Sequence, residues 1–156
     1  MNKLYLYLLI FFLIFNISFA ENKKKSNLIK TNEALRAEYI LRSMQKDYTT
    51  CYVFYKIGSQ SVIKSNENKD LTKGIEASSD TSLKLAFETG ELLNMTVEEM
   101  KEKVNFEIKK QILILKDDRS NYSILLNRYA RICKSLIQDK KGRIAYWEKE
   151  AKSKFK

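Results

Sequence analysis

Two cysteines, Cys51 and Cys133, are the most reactive side chains in the sequence, and they lie far apart along it. Their spacing fits neither a CxxC redox motif nor the CxxCH motif that binds haem covalently. In an exported protein, which the N-terminus indicates, a lone pair of cysteines usually forms a disulfide because the compartment is oxidising. We therefore predict a structural Cys51–Cys133 disulfide, with two free thiols as the alternative.

Tyrosine is the second residue type of interest, because its hydroxyl needs a hydrogen-bond partner when the ring is buried. Three tyrosines surround Cys51 in the run YTTCYVFY, and two more follow at the spacing of a later helix. The alternative to a ligand pocket is a packed core whose hydroxyls reach the rim. The candidate pocket residues are Tyr48, Tyr52, Tyr55, Tyr122 and Tyr129.

Catalytic and metal sites are largely excluded by what the sequence lacks. It contains no histidine, which removes Ser-His-Asp and Cys-His nucleophiles and ordinary histidine zinc sites. No phosphate-binding GxxxxGK[ST] or GxGxxG motif occurs. The carboxylate pairs Glu98/Glu99 and Asp117/Asp118 lie where a helix start and a turn favour acidic residues. We predict no catalytic residue, no metal ligand and no cofactor.

The first 20 residues have the three parts of a secretory signal peptide. Lys3 supplies the positive charge, residues 4–15 are apolar, and Ser18-Phe19-Ala20 places small residues at positions −3 and −1 of a cleavage site. We predict cleavage near Ala20 and a periplasmic or secreted mature protein, with an uncleaved N-terminal anchor as the alternative. Residues 21–30 are predicted to be a flexible basic lead-in.

The chain is basic, with 29 basic and 19 acidic residues and a formal charge of +10. Positive charge on an exported protein attracts acidic envelope proteins, anionic lipid or cell-wall polymers, whereas export separates it from nucleic acid. A generic solvated surface is the alternative, because acidic residues are interspersed and a richness in Lys, Asn and Ile is typical of AT-rich genomes. The sequence does not indicate an oligomeric state.

Apolar and small residues recur every three or four positions between residues 34 and 62, the spacing of one helical face. This pattern predicts a first helix over 32–64, in which Gly58 marks a bend or a close contact. A second helix, over 71–93, has a face that begins at Leu71. Its middle carries small residues that favour close packing, with a ligand groove as the alternative: Ser78, Ser82, Ala86 and Gly90.

A capping box marks the start of the third helix, because Thr96 is followed three positions later by Glu99. It predicts a helix over 97–116. A fourth helix, over 121–140, is predicted to end at Lys140-Lys141-Gly142, which has the basic last turn and terminal glycine of a helix C-terminus. A short helix over 143–152 holds Trp147. The predicted apolar face of the fourth helix is Tyr122, Leu126, Tyr129, Cys133 and Leu136.

Periodicity alone does not distinguish one long helix over 97–137 from two helices. The disulfide does, since it needs Cα atoms within about 7 Å. At a rise of about 1.5 Å per residue, an unbroken helix carries Cys133 far past Cys51, whereas a turn near Asp118 brings it back. The predicted fold is therefore all-α: a signal peptide, then an up-down-up-down four-helix bundle over 31–154 with helices 1 and 4 joined by the disulfide. This register places Ala37 opposite Trp147.

Together these features favour a non-catalytic, exported cell-envelope protein that binds a partner protein, lipid or polymer through its basic surface. The alternative is a small-ligand carrier or enzyme that uses the tyrosine-lined interior of the bundle. A bundle interior with room for a ligand favours the carrier, and a filled core favours the binding protein.

Overall fold

The computed structural model describes residues 31–64 and 69–156, without the side chains of residues 62–64 and 119. The predicted signal peptide, the basic lead-in and the side chain of Val62 lie outside the described residues. Every regular element in the described ranges is helical, which confirms the all-α prediction. The elements are α1 (Asn32–Lys64), α2 (Lys69–Leu92), α3 (Val97–Ile114), a 3-10 turn (Arg119–Asn121), α4 (Tyr122–Gln138) and α5 (Lys140–Lys154).

Helix α1 is the central element, since each of the other four α-helices packs against it and α2 makes the most extensive contact. Its 33 residues give it a length of about 50 Å, which lets α4 and α5 contact it one after the other. Its buried apolar side chains form half of the core. They are Met44, Tyr48, Cys51, Val53, Phe54 and Ile57.

A disulfide joins α1 to α4, as the sequence predicts. The Cys51 and Cys133 sulfurs lie 2.04 Å apart, their Cα atoms lie 5.3 Å apart, and both side chains are fully buried. The bond therefore fixes the register of α4 against the middle of α1.

The small residues of α2 serve close helix packing. The Ser79 hydroxyl donates a hydrogen bond of 3.3 Å to the Tyr52 carbonyl of α1, and Ser82 and Ala86 are buried. Gly90 faces the start of α3, where a Cβ atom would lie 3.0 Å from Met100 Cγ. Small side chains let these backbones approach.

The capping box at the start of α3 is confirmed. The Thr96 amide donates to the Glu99 carboxylate at 2.7 Å, and the Glu99 amide donates to the Thr96 hydroxyl at 3.2 Å. The first of these bonds is the largest of the causes that lower the pKa of Glu99. At its other end α3 stops at Ile114, two residues before the predicted end, and Lys116 and Asp117 take left-handed φ angles of 51° and 59°.

The junction between α4 and α5 differs from the prediction. Asp139 leaves the helical conformation, and its carboxylate accepts a 2.9 Å hydrogen bond from the Gly142 amide, which caps α5. Gly142 lies in the first turn of α5, so the prediction that Lys140-Lys141-Gly142 ends the fourth helix is wrong. A Cβ atom at Gly142 would lie 2.8 Å from Asp139 Cγ, so the glycine leaves room for the cap.

Two leucines assigned to buried faces are exposed instead. Leu71 lies in the first turn of α2 and is 50% exposed, because the helix begins beyond the core there. Leu126 is 44% exposed, whereas its neighbour Leu125 is fully buried. Both leucines of α4 keep a spacing of three or four residues from Tyr129, so the periodic pattern does not distinguish them.

Helix α5 is fixed to α1 by a polar and aromatic contact around Asp47. One oxygen of its carboxylate accepts hydrogen bonds of 2.7 Å from both Arg143 Nε and Trp147 Nε1. The Trp147 ring meets Tyr39 edge-on, with ring centroids 6.1 Å apart. The sequence predicts Ala37 opposite Trp147, but Ala37 is exposed and the tryptophan contacts Tyr39 and Asp47. The break at Asp139 accounts for the difference, since the register of α4 does not continue into α5.

Candidate functional site

Three of the five candidate pocket tyrosines gather around one phenylalanine. The Phe54 ring stacks on Tyr122 with centroids 5.5 Å apart and an interplanar angle of 16°. It also lies 5.1 Å from the Tyr55 ring and 6.3 Å from the Tyr129 ring. Phe54 of α1 thus contacts Tyr122 and Tyr129 of α4 across the helix interface.

Tyr122 is held tightly against the backbone of α1. Its hydroxyl donates a 3.4 Å hydrogen bond to the Phe54 carbonyl, and a Cβ atom at Gly58 would lie 2.7 Å from its Cζ atom. Gly58 is therefore the close contact that the sequence indicates. Burial, and after it the neighbouring Tyr55, raises the pKa of the Tyr122 hydroxyl far above its ordinary value.

Tyr48 lies apart from this group, one helical turn before Cys51 on α1. Its side chain is 1% exposed, and its hydroxyl has no hydrogen-bond partner among the described residues. Burial raises the pKa of this hydroxyl, and the charges of Asp47 and Glu88 raise it further. The polar tip of this side chain is thus enclosed in the core.

Tyr52 lines a groove that lies between α1 and α3 and has a volume of about 310 Å³. Its walls are apolar, and its rim carries Lys56, Gln60 and Asp117. The strained backbone of Asp117 is part of that rim. The apolar wall residues besides Tyr52 are Val53, Ile57, Ile108, Ile112 and Leu115.

A buried polar contact on α3 was not expected from the sequence. Gln111 is fully buried and its amide donates to the Thr50 carbonyl at 2.9 Å and to Glu107 at 3.0 Å. Lys110 pairs with the Glu107 carboxylate at 2.9 Å. The sequence signal is present, because Glu107 and Gln111 continue the spacing of Met100. The apolar residues of this helix hide it, since Ile108 and Ile112 fit a helical period equally well.

The two carboxylate pairs have structural roles in the helix ends. Glu99 belongs to the capping box, and Asp118 accepts hydrogen bonds from the hydroxyl and the amide of Ser120 at 2.7 and 2.9 Å. These bonds lower the pKa of Asp118. In the described part of the chain, no group of three or more acidic or cysteine side chains is placed to hold a metal ion.

Positive charge is unevenly distributed along the chain. Residues 122–156, which contain α4 and α5, have ten basic and three acidic residues, a formal charge of +7 out of the total of +10. Nine of the ten basic side chains are exposed, and the tenth, Arg143, is paired with Asp47. Helix α2 differs, with three basic and five acidic residues.

No protein-family model, curated protein or solved structure matches this chain. Among the described helices, none is both long enough and apolar enough to cross a membrane. The arguments about function therefore come from the tyrosine cluster, the groove and the distribution of charge.

Proposed function

We propose that the chain is an exported, non-catalytic cell-envelope protein that binds an acidic partner through its basic surface. The partner classes that fit are an envelope protein, anionic lipid and a cell-wall polymer. In this proposal the signal peptide directs export, and the disulfide-closed helical domain is the binding unit.

The placement of the tyrosines is the observation that carries this proposal. Tyr55, Tyr122 and Tyr129 pack around Phe54 with ring centroids 5.1 to 6.3 Å away. Because Phe54 contacts each of these rings, we interpret the cluster as core packing and not as a ligand pocket. The excess of positive charge is then the main feature by which the chain could recognise a partner. Charge of this kind acts through exposed side chains, which is where α4 and α5 carry it.

Export is supported by two independent features of the chain. The N-terminal sequence has the form of a cleavable signal, and the buried Cys51–Cys133 bond is of the kind that persists in oxidising compartments.

We also propose that the domain is an up-down-up-down bundle in which α4 and α5 together occupy the fourth position. The contacts that support this arrangement are antiparallel: as the residue number increases along α4, α5 and the residues after them, the number of the contacting residue on α1 decreases. Cys133 meets Cys51, Trp147 meets Asp47, and the Phe155 carbonyl accepts hydrogen bonds from Arg36.

A small-ligand carrier is the second candidate, and the groove between α1 and α3 favours it. Its volume of about 310 Å³ and its apolar walls suit a small apolar molecule. Of the five tyrosines only Tyr52 lines it, so a carrier would use the groove and not a tyrosine-lined interior.

The experiment that tests the proposed function measures binding of the mature, oxidised protein to three immobilised envelope components: anionic vesicles, an anionic wall polymer and acidic envelope proteins. We expect binding to at least one, weakening as ionic strength rises, because exposed charges are screened over about 8 Å at physiological salt. Neutral vesicles and an uncharged polymer are the controls. Salt-independent binding of a small apolar probe, without binding to any anionic component, would favour the carrier instead.

A further inference from the structure

The exposed basic side chains of α4 and α5 follow helical spacing. On α4 three of them continue from Ile124 at steps of three or four residues, and four more lie on α5 or just after its last residue, Lys154. All seven side chains are exposed. We call them the basic strip: Arg128, Arg131, Lys134, Lys141, Lys149, Lys152 and Lys156.

We propose that the basic strip docks onto the surface of an anionic lipid bilayer, an inference that rests on the proposed function and names its partner. A bilayer surface presents many anionic headgroups at once. Positive charge that is spread over two helices can contact several of them, whereas an enclosed anion site would bind one.

Exposed apolar side chains on the two helices that carry the strip distinguish lipid from a purely anionic polymer. Ile124 and Leu126 on α4 are 41% and 44% exposed, and Tyr146 on α5 is 46% exposed. The Arg143 guanidinium lies over the Tyr146 ring, 4.6 Å from its centroid. Basic residues accompanied by aliphatic and aromatic side chains are typical of helices that lie in the membrane interface.

Two other exposed apolar residues lie on a helix that has no excess of positive charge. Phe106 and Leu113 on α3 are more exposed, at 69% and 74%. Their helix, however, carries four basic and four acidic residues, so it has no net attraction to an anionic surface. The membrane-facing side is therefore the one formed by α4 and α5.

The two helices present the strip from fixed positions. The disulfide holds α4 to α1, and the hydrogen bonds of Arg143 and Trp147 with Asp47 hold α5. Docking therefore needs no folding step, and the charges are in place before the protein meets the bilayer.

The experiment measures co-sedimentation of the mature, oxidised protein with vesicles of neutral lipid, with and without an anionic lipid, at low and high salt. The test variant is Arg131→Gln, Lys134→Gln, Lys149→Gln and Lys152→Gln together. The matched control removes four exposed lysines from α2 and α3: Lys69→Gln, Lys73→Gln, Lys101→Gln and Lys109→Gln. Helical circular dichroism verifies that both variants fold.

We expect the parent to bind anionic vesicles at low salt and not neutral ones. The test variant loses at least about tenfold in affinity, and the control loses much less, since each basic residue near an anionic surface contributes to binding. A second pair of variants distinguishes a lipid partner from a polymer. The double variant Ile124→Ser with Leu126→Ser weakens vesicle binding, whereas the control double variant Phe106→Ser with Leu113→Ser does not.

Three outcomes overturn the inference. Equal losses in the test variant and its control mean that charge acts diffusely and the strip is not the docking surface. Binding to the wall polymer or to acidic proteins without binding to vesicles contradicts the lipid partner and leaves the proposed function standing. Binding to no anionic component contradicts both.

Discussion

The ring of Tyr122 lies against the backbone of α1 at Gly58, the position on that helix where a side chain would fill its space. A glycine inside a helix costs about 1 kcal/mol relative to alanine, so its presence here is explained by the contact. Gly74 on α2 offers the comparison, because a Cβ atom there would meet nothing within 4 Å.

We expect Gly58→Ala and Gly74→Ala to change the free energy of unfolding in opposite directions. Overpacking costs about 1–3 kcal/mol, which exceeds the helix-propensity gain of about 1 kcal/mol at Gly58. Gly74→Ala keeps only the gain and stabilises by about 0.5–1 kcal/mol. Urea denaturation measures both. If Gly58→Ala remains destabilising when Tyr122 is replaced by Leu, the contact is not the cause.

The buried tyrosines predict a loss of stability in alkaline solution. Burial raises the pKa values of Tyr48, Tyr55 and Tyr122 above the ordinary value of 10.0. A raised pKa in the folded state means that the full stability is present below pH 10.0 and is lost as the pH rises through the folded pKa values. Denaturation series on either side of that pH, with phenolate absorbance, measure the loss.

Tyr48→Phe supplies the matched variant for the alkaline experiment. It removes a buried hydroxyl without a hydrogen-bond partner in the described structure, so we expect a gain of about 1 kcal/mol at neutral pH. The variant also loses less stability in alkali than the parent. Tyrosines that all titrate at the ordinary pH in the folded protein would contradict the burial of these rings.

At the scale of the elements, the sequence was informative where a local motif sets a helix end. The capping box predicts the start of α3 because its two hydrogen bonds join residues only three apart. The end of α4 is harder to predict, because the sequence carries two competing signals. Gly142 could terminate this helix, whereas Asp139 could cap the next one, as it does in the structure. Which of the two signals is used depends on how α5 packs against α1, and that contact joins residues far apart in the sequence.

Buried positions were predicted less well than helices, for a geometric reason. A spacing of three or four residues fits Leu125 as well as Leu126, and the structure buries only the first. Gln111 is buried because the Thr50 carbonyl of α1 accepts its hydrogen bond, a partner that no pattern within α3 reveals.

The attachment of α5 to α1 depends on Asp47. We expect Asp47→Ala to destabilise the protein by about 2 kcal/mol, because hydrogen bonds from Arg143 and Trp147 to a charged group are lost together. Trp147 fluorescence should also shift to the red as the indole becomes hydrated. Arg42→Gln is the control: it breaks an exposed pair with Glu38 and should change stability by less than about 0.5 kcal/mol. Unchanged tryptophan emission in Asp47→Ala would contradict the role of this contact.

At the scale of the whole molecule, the disulfide links residues 82 positions apart. The chain-entropy relation gives such a bond about 4.5 kcal/mol, a large part of the 5–15 kcal/mol typical of a domain. We expect Cys51→Ser with Cys133→Ser to lower the melting temperature by many degrees while the helices remain. A double variant that melts like the oxidised parent would show that packing alone sets the register of α1 and α4.

The uneven distribution of charge can be predicted from the sequence, because counting the basic and acidic residues in 122–156 requires no structure. Which of those charges face outward does need them, because the same helices bury Cys133, Leu136 and Ala151. The sequence likewise suggested a tyrosine pocket, but only the fold shows that three of its members surround Phe54.

The most direct test of the account is to locate binding on the oxidised protein by NMR, during titration with small bicelles that contain anionic lipid. Binding through the exterior predicts shifts in exposed residues of α4 and α5, such as Arg131 and Lys152, that disappear at high salt. The ring resonances of Tyr55, Tyr122 and Tyr129 should stay unchanged. Shifts concentrated in those rings, with the basic residues unaffected, would contradict the account and indicate a ligand within the helical domain.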